Sequence, residues 1–202
     1  MTSGRVIRVA GPVVVAEGLD HVRLYNVVRV GRRELIGEVI RLKGTEAVIQ
    51  VNETVKRRMI EKIRDLCDGS FNGKKIAIFG VTFKPNTDDM RDAPSLTIVP
   101  ALIGSGAKVH AVDPQGRHEG EALLPHVVWE SDAYDAAKDA DLIVILTEWN
   151  EFRALDLPRL AGGMSTPRMA DLRNIYSAED ATSAGFEAYE SVGRRGYPDT
   201  PQ

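Results

Sequence analysis

The chain has 202 residues, with 26 lysines and arginines against 29 aspartates and glutamates, 43% hydrophobic and 6% aromatic residues, and one cysteine. That length suits one large domain or two small ones, and the apolar content is that of a globular protein with no run approaching the ~20 residues of a membrane span. A single thiol excludes an internal disulfide framework and a cysteine-built zinc cluster, and a net charge of −3 gives no global attraction to nucleic acid or anionic lipid.

The opening MTSGRVIRVAG has arginines but no apolar segment followed by a small-residue cleavage site, so secretion is not expected and a cytoplasmic location is. Residues 1–51 hold 8 basic and 5 acidic residues, a charge of +3; the remainder holds 18 and 24, a charge of −6. Texture changes at the same place, from short β-branched runs split by glycine to helical patterns alternating with apolar strands. Two units of different class are expected, a small all-β barrel and then an α/β Rossmann-like domain with a mainly parallel sheet.

In the first unit strands are predicted at 5–9, 13–17, 25–30, 35–42 and 47–51. Gly11-Pro12, Gly18, Gly31 and Lys43-Gly44 punctuate them, the last as a hairpin turn. His21 stands alone and is read as a solvated loop histidine. From Asn52 the spacing of Val55, Met59, Ile63 and Leu66 predicts a helix, with Gly69 ending it. Strands are then predicted at 75–79, 108–112, 127–129, 142–146, 168–170 and 187–191, with helices at 95–103, 132–138, 157–161 and 178–184. Alternating β and α with short apolar strands implies a parallel sheet covered on both faces, whose ligands bind at the carboxyl ends of the strands.

Chemistry is therefore sought in the loops after Phe79, Val112, Leu146 and Ala170. The first, Gly80 to Asp92, delivers Lys84 and Arg91 just before a helix N-terminus at Ala93-Pro94, an arrangement suited to a phosphate. The second begins Asp113-Pro114, where a Rossmann acidic residue would meet a ribose; the fourth begins Asp171-Leu172-Arg173-Asn174. No G-x-G-x-x-G occurs, so spacing alone supports a dinucleotide site only weakly. The other reading of Lys84, Arg91 and Arg173 is a salt-bridge network with Asp88, Asp89, Asp92 and Asp171.

GRVIRVAGPVVVAEGL, YNVVRVG and LIGEVIRLKGTEAVIQV resemble the N-terminal β-barrel of the catalytic A subunit of archaeal and vacuolar-type rotary ATPases, over residues 4–51. The resemblance implies a structural collar, and no G-x-x-x-x-G-K-[ST] phosphate loop follows it. VNETVKRRMIEKI, GKKIAIFGVTFKPNTDDMRDAPSLTIVPALIGSGAKVHAVDP, DLIVILTEWNEF and ADLRNIY are similar to the C-terminal UDP-binding domain of the UDP-glucose 6-dehydrogenase family, from about Val51 to Gly196. That family oxidises the sugar C6 alcohol to a carboxylate with two NAD. Carried over by position, the resemblance implies that Phe83, Lys84 and Arg173 contact the UDP-sugar and that Arg91 reaches the cofactor. It leaves Asp113 as a strand-end turn.

The domains expected are an incomplete barrel at 1–51, a linking helix at 52–70, a UDP-binding α/β domain at 71–196 and a tail at 197–202. The family's glycine-rich Rossmann fingerprint and catalytic cysteine are missing from this sequence, and Cys67, in LCDG, lacks the glycine context of that thiol. The expectation is accordingly an engineered or recombined chimera, not an enzyme, with no catalytic residue and no metal. It would bind UDP or a UDP-sugar weakly, without turnover and without NAD bound in isolation. The alternative is a scaffold with no ligand. A homodimer through the barrel is expected from exposed edges at 5–9 and 47–51, with no nucleic-acid or membrane partner.

Overall fold

In this computed structural model, residues 4–10, 13–19, 21–24, 26–30 and 35–192 are described, without the side chains of residues 10, 27, 29, 35–36, 38 and 50–55. The predicted turns at Gly11-Pro12 and Gly31, the strand start at Tyr25 and the tail at 197–202 lie outside them, as does the Val55 side chain. The chain divides into two compact units, Met1–Arg58 and Met59–Gln202.

The first unit is a five-stranded antiparallel sheet of β1 (Arg5–Ala10), β2 (Val13–Glu17), β3 (Val27–Val30), β4 (Leu35–Lys43) and β5 (Glu46–Val51), in the order β1-β2-β5-β4-β3. β4 and β5 form a hairpin closed by the pair Lys43 and Glu46, with Gly44 at φ +60 in the turn. Its buried face carries Val14, Ala16, Val39, Ala47 and Ile49, alternate residues of the strands they belong to. One expectation is corrected here: residues 47–51 are not an edge. β5 pairs with β2 on one side and β4 on the other, because the β4–β5 hairpin folds back against the first one. β1 is an edge, as expected.

The division between units falls within α1 (Asn52–Leu66), so that the helix starts in one and ends in the other. The second unit continues with β6 (Lys75–Phe79), α2 (Ser95–Gly104), β7 (Lys108–Val112), α3 (Arg117–Leu123), β8 (Val128–Trp129), α4 (Ala133–Ala137), β9 (Leu142–Ile145), α5 (Asn150–Arg153), α6 (Leu157–Gly163), β10 (Arg168–Asp171), α7 (Ala178–Ser183) and β11 (Ala188–Ser191). The predicted strands are all present, with ends shifted by a residue or so. α3 and α5 were not expected: α3 buries only Gly120 and α5 is a single turn, so neither carries an apolar stripe.

All six strands run parallel in the order β11-β10-β9-β6-β7-β8. Alternate side chains feed two cores, as the pleat requires. Ile76, Ile78, Val109, Leu142 and Val144 join Ile63 of α1 and Ile98 and Leu102 of α2 on one face. Ala77, Phe79, Ile143, Ile145 and Met169 join Ala136 of α4, Leu160 of α6 and Ala181 of α7 on the other. Helix starts are held by short polar side chains. Asp132 accepts from the Tyr134 and Asp135 amides at 2.8 and 2.9 Å, and Ser177 and Asp180 cap each other reciprocally.

Candidate functional site

From β6 the chain winds to β7 and β8 in one direction, and from β9 to β10 and β11 in the other. The crevice of such a sheet lies outside the carboxyl ends of β6 and β9, where the winding reverses. The loops after β6, β7, β9 and β10 border it.

The loop after β6 leaves the strand through Gly80, at φ +82, whose amide donates to the Val112 carbonyl at 2.8 Å. A Cβ on Gly80 would lie 2.4 Å from the Thr147 Cβ, so only glycine allows the β6 and β9 loops to approach this closely. Thr147 Oγ1 donates to the Thr82 carbonyl at 2.6 Å across the same gap. Beyond it, the Phe83 amide donates to the Asp89 carbonyl at 2.9 Å and closes the loop on itself, leaving Phe83 48% exposed.

The three cations singled out by sequence differ in their partners. Lys84 is exposed and makes no hydrogen bond or ion pair among the described residues. Arg91 is exposed and grips Asp89 with two nitrogens, at 2.9 and 2.8 Å. That hydrogen-bonded pairing, the Arg91 amide included, lowers the Asp89 pKa to about 2. Arg173, on the β10 loop, is hydrogen-bonded through Nε to Glu148 on the β9 loop. Partial burial works against ionisation of Glu148, but the Arg173 hydrogen bond and the charges of Arg173 and Arg153 outweigh it, and its pKa is lowered.

The expected network is therefore realised only in part. Asp171 does not hold the arginine side chain: fully buried, it accepts from the Arg173 amide at 3.1 Å, the Tyr176 amide at 2.8 Å and the Tyr189 hydroxyl at 3.1 Å. The α2 terminus offers less to an anion than its position suggested. Its Leu96, Thr97 and Ile98 amides bond to the Ala93 and Pro94 carbonyls, and the Ser95 hydroxyl bonds to the Val81 carbonyl.

Sequence reasoning missed the Thr147-Glu148-Trp149 segment, although its loop was marked as a place to look. Each of its side chains reaches a different loop: Thr147 reaches Thr82, Glu148 reaches Arg173, and Trp149 Nε1 donates to Asp113 at 3.2 Å. A tryptophan and an acid directly after an apolar strand were the signal. Cys67 is buried, and that burial, eased by Lys74, raises its pKa to about 11, so the thiol stays protonated and unreactive at neutral pH. No helix among the described residues is long and apolar enough to cross a membrane.

Strand order and loop placement make the second unit a doubly wound α/β domain. Residues 77–178 match the UDP binding domain of the UDP-glucose/GDP-mannose dehydrogenase family, and the chain belongs to that family. Residues 6–55 match the beta-barrel domain of the ATP synthase alpha/beta family, so two families adjoin in one chain. A UDP-glucose 6-dehydrogenase of Rhizobium meliloti is 47% identical over 149 residues, which are 74% of this chain and 34% of that protein. The UDP-glucose 6-dehydrogenase TuaD of Bacillus subtilis is 39% identical over 153 residues, 75% of this chain and 33% of its own length. The chain thus spans about a third of these relatives. Among solved structures, a UDP-glucose dehydrogenase of Pyrobaculum islandicum shares the fold at TM-score 0.56 and 24% identity, covering 69% of this chain and 29% of that one.

The expectation that the chain is not an enzyme is overturned. Relatives 47 and 39% identical to it are named dehydrogenases, so nothing supports excluding an enzyme. The catalytic cysteine and the glycine fingerprint are missing from these residues. Such an absence says nothing of the chemistry when the residues in hand match a third of each relative.

Proposed function

We propose that the second unit is the UDP-sugar-binding lobe of an NAD-linked UDP-glucose 6-dehydrogenase. The observation that carries this reading is an exposed aromatic, Phe83, and an exposed lysine, Lys84, with no hydrogen bond or ion pair among the described residues, on the β6 loop of a unit whose matched residues form a UDP binding domain. An open ring suits a base or sugar face, and an exposed ammonium suits a diphosphate. Arg173 supplies a second cation two strands away, about 10 Å by the spacing of sheet neighbours. With one cation open to solvent and the other shared with Glu148, the affinity expected for UDP is on the order of 0.1–1 mM.

NAD does not fit the crevice of this unit. No glycine fingerprint follows β6, and Asp113, in the place of a ribose acceptor, is filled by donors from its own chain. Arg91 has guanidinium nitrogen left over from its grip on Asp89 and is the residue we assign to reach a cofactor held elsewhere. Two family matches side by side support a recombined origin. Self-association through the edge strand β1 is proposed as well, since Val6, Ile7 and Val9 are 43, 42 and 66% exposed there.

UDP titration of the full chain, followed by amide shifts, tests the main reading. Shifts are expected at Phe83 to Arg91 and Asp171 to Asn174, with Lys84→Ala and Arg173→Ala each weakening binding about tenfold. No response at millimolar UDP would refute it.

A further inference from the structure

Asp113 directly follows β7, at the position where, in a doubly wound fold, an acidic residue meets a dinucleotide ribose. Here the residue is 7% exposed and faces inward. Its Oδ2 accepts from the Val81 amide at 2.7 Å, the Thr82 amide at 3.1 Å, the Thr82 hydroxyl at 3.2 Å and Trp149 Nε1 at 3.2 Å. Its Oδ1 accepts from the Gln115 amide at 3.0 Å and the Gly116 amide at 2.7 Å. A carboxylate offers about four lone-pair sites, so these donors leave nothing for a ligand hydroxyl. None of them is a lysine or arginine; the charge is held by amide, hydroxyl and indole dipoles.

The donors come from three loops, those after β6, β7 and β9. Packing enforces the same convergence, because a Cβ on Gly116 would lie 2.6 Å from the Thr82 Cγ2 and 3.0 Å from Asp113 Oδ1. We infer that Asp113 is a positioning residue of the nucleotide site. It clamps the backbone of Val81 and Thr82 against the turn bearing Trp149, and so sets where the next two residues, Phe83 and Lys84, present their side chains. The turn that bears Trp149 also bears Glu148, the partner of Arg173, so one buried carboxylate aligns both cations. Asp113 itself touches no ligand. The inference rests on the UDP-binding reading above.

The test is a UDP titration by amide shifts on the full chain, well below its melting temperature, for Asp113→Asn, Lys84→Ala and the double variant. An asparagine amide would turn donors toward donors. Asp113→Asn is expected to stay folded by circular dichroism and to bind UDP about tenfold more weakly. On the Lys84→Ala background the same change is expected to cost only about threefold, since Phe83 and Arg173 alone remain for it to act through. A merely structural aspartate would lower the melting temperature and leave the affinity of the folded protein alone. Affinity of Asp113→Asn within twofold of the parent, or losses that simply multiply in the double variant, overturns the inference. If Asp113→Asn does not fold, Thr82→Val combined with Trp149→Phe removes both side-chain donors; about threefold weaker binding is expected, and unchanged binding overturns the inference. A parent protein that ignores UDP, or a Lys84→Ala variant that binds as the parent does, overturns the UDP reading first and this inference with it.

Discussion

Replacing Gly80 with alanine separates two costs that usually arrive together. The residue has φ +82, where an L side chain costs about 1–2 kcal/mol. The new Cβ would also lie 2.4 Å from the Thr147 Cβ, 2.8 Å from its Oγ1 and 2.9 Å from its amide nitrogen. Two of those atoms belong to, or sit directly on, the backbone of the turn after β9, so relief requires the β6 and β9 loops to separate. Overpacking of that kind adds about 1–3 kcal/mol. Gly69 supplies the control: it has the same φ of +82 and nothing within 4 Å of its would-be Cβ. Both tryptophans, Trp129 and Trp149, belong to the second unit, so their fluorescence follows that unit's melting alone. At about 3 °C per kcal/mol for a unit of this size, Gly69→Ala should lower the melting temperature by about 5 °C and Gly80→Ala by about 10 °C. Equal shifts for the two variants would refute the close approach of the loops at the crevice, and with it the geometry on which the site is built.

The Asp89–Arg91 pair predicts a pH signature. Because the folded carboxyl is held at about 2, the stability it contributes is complete above about pH 4 and lost as pH falls through 2. In Arg91→Ala the Asp89 midpoint, read by carboxyl carbon shifts, should move up toward the ordinary carboxylate range; an unmoved midpoint would show that Arg91 is not its cause. For the first unit, light scattering of the full chain should give a dimer, and Val9→Lys on the edge strand β1 should give a monomer. A monomeric parent, or a dimer indifferent to Val9→Lys, removes β1 as the contact.

Much of the fold was legible in sequence because its determinants are local. Lys75–Phe79 and Lys108–Val112 are short apolar runs between turn residues, and each forms a strand over the same residues. Asp132 and Ser177 precede helices they cap, at a spacing of two or three residues. α3 escaped notice because, apart from Gly120, its residues are not buried, and solvent imposes no periodicity. Sheet order was beyond reach for a different reason. The β5 strand looks like an edge from its place at the end of the run of strands, yet pairing with β2, far earlier in the chain, makes it central.

The candidate site divides along the same line. Sequence alone determined that Lys84, Arg91 and Arg173 stand on loops at the carboxyl edge of a parallel sheet, since that follows from strand positions and alternation. Only tertiary structure decided what engages each of those cations, because the partner of Arg173 lies 25 residues away on another loop while that of Arg91 is two residues back. Asp113 makes the point most sharply. As a residue before proline at a strand end it has every local mark of a turn. Its donors Val81 and Trp149, 32 residues behind and 36 ahead, make it the junction of three loops. A hydrogen bond depends on where the chain returns in space, and no local pattern of residues records that.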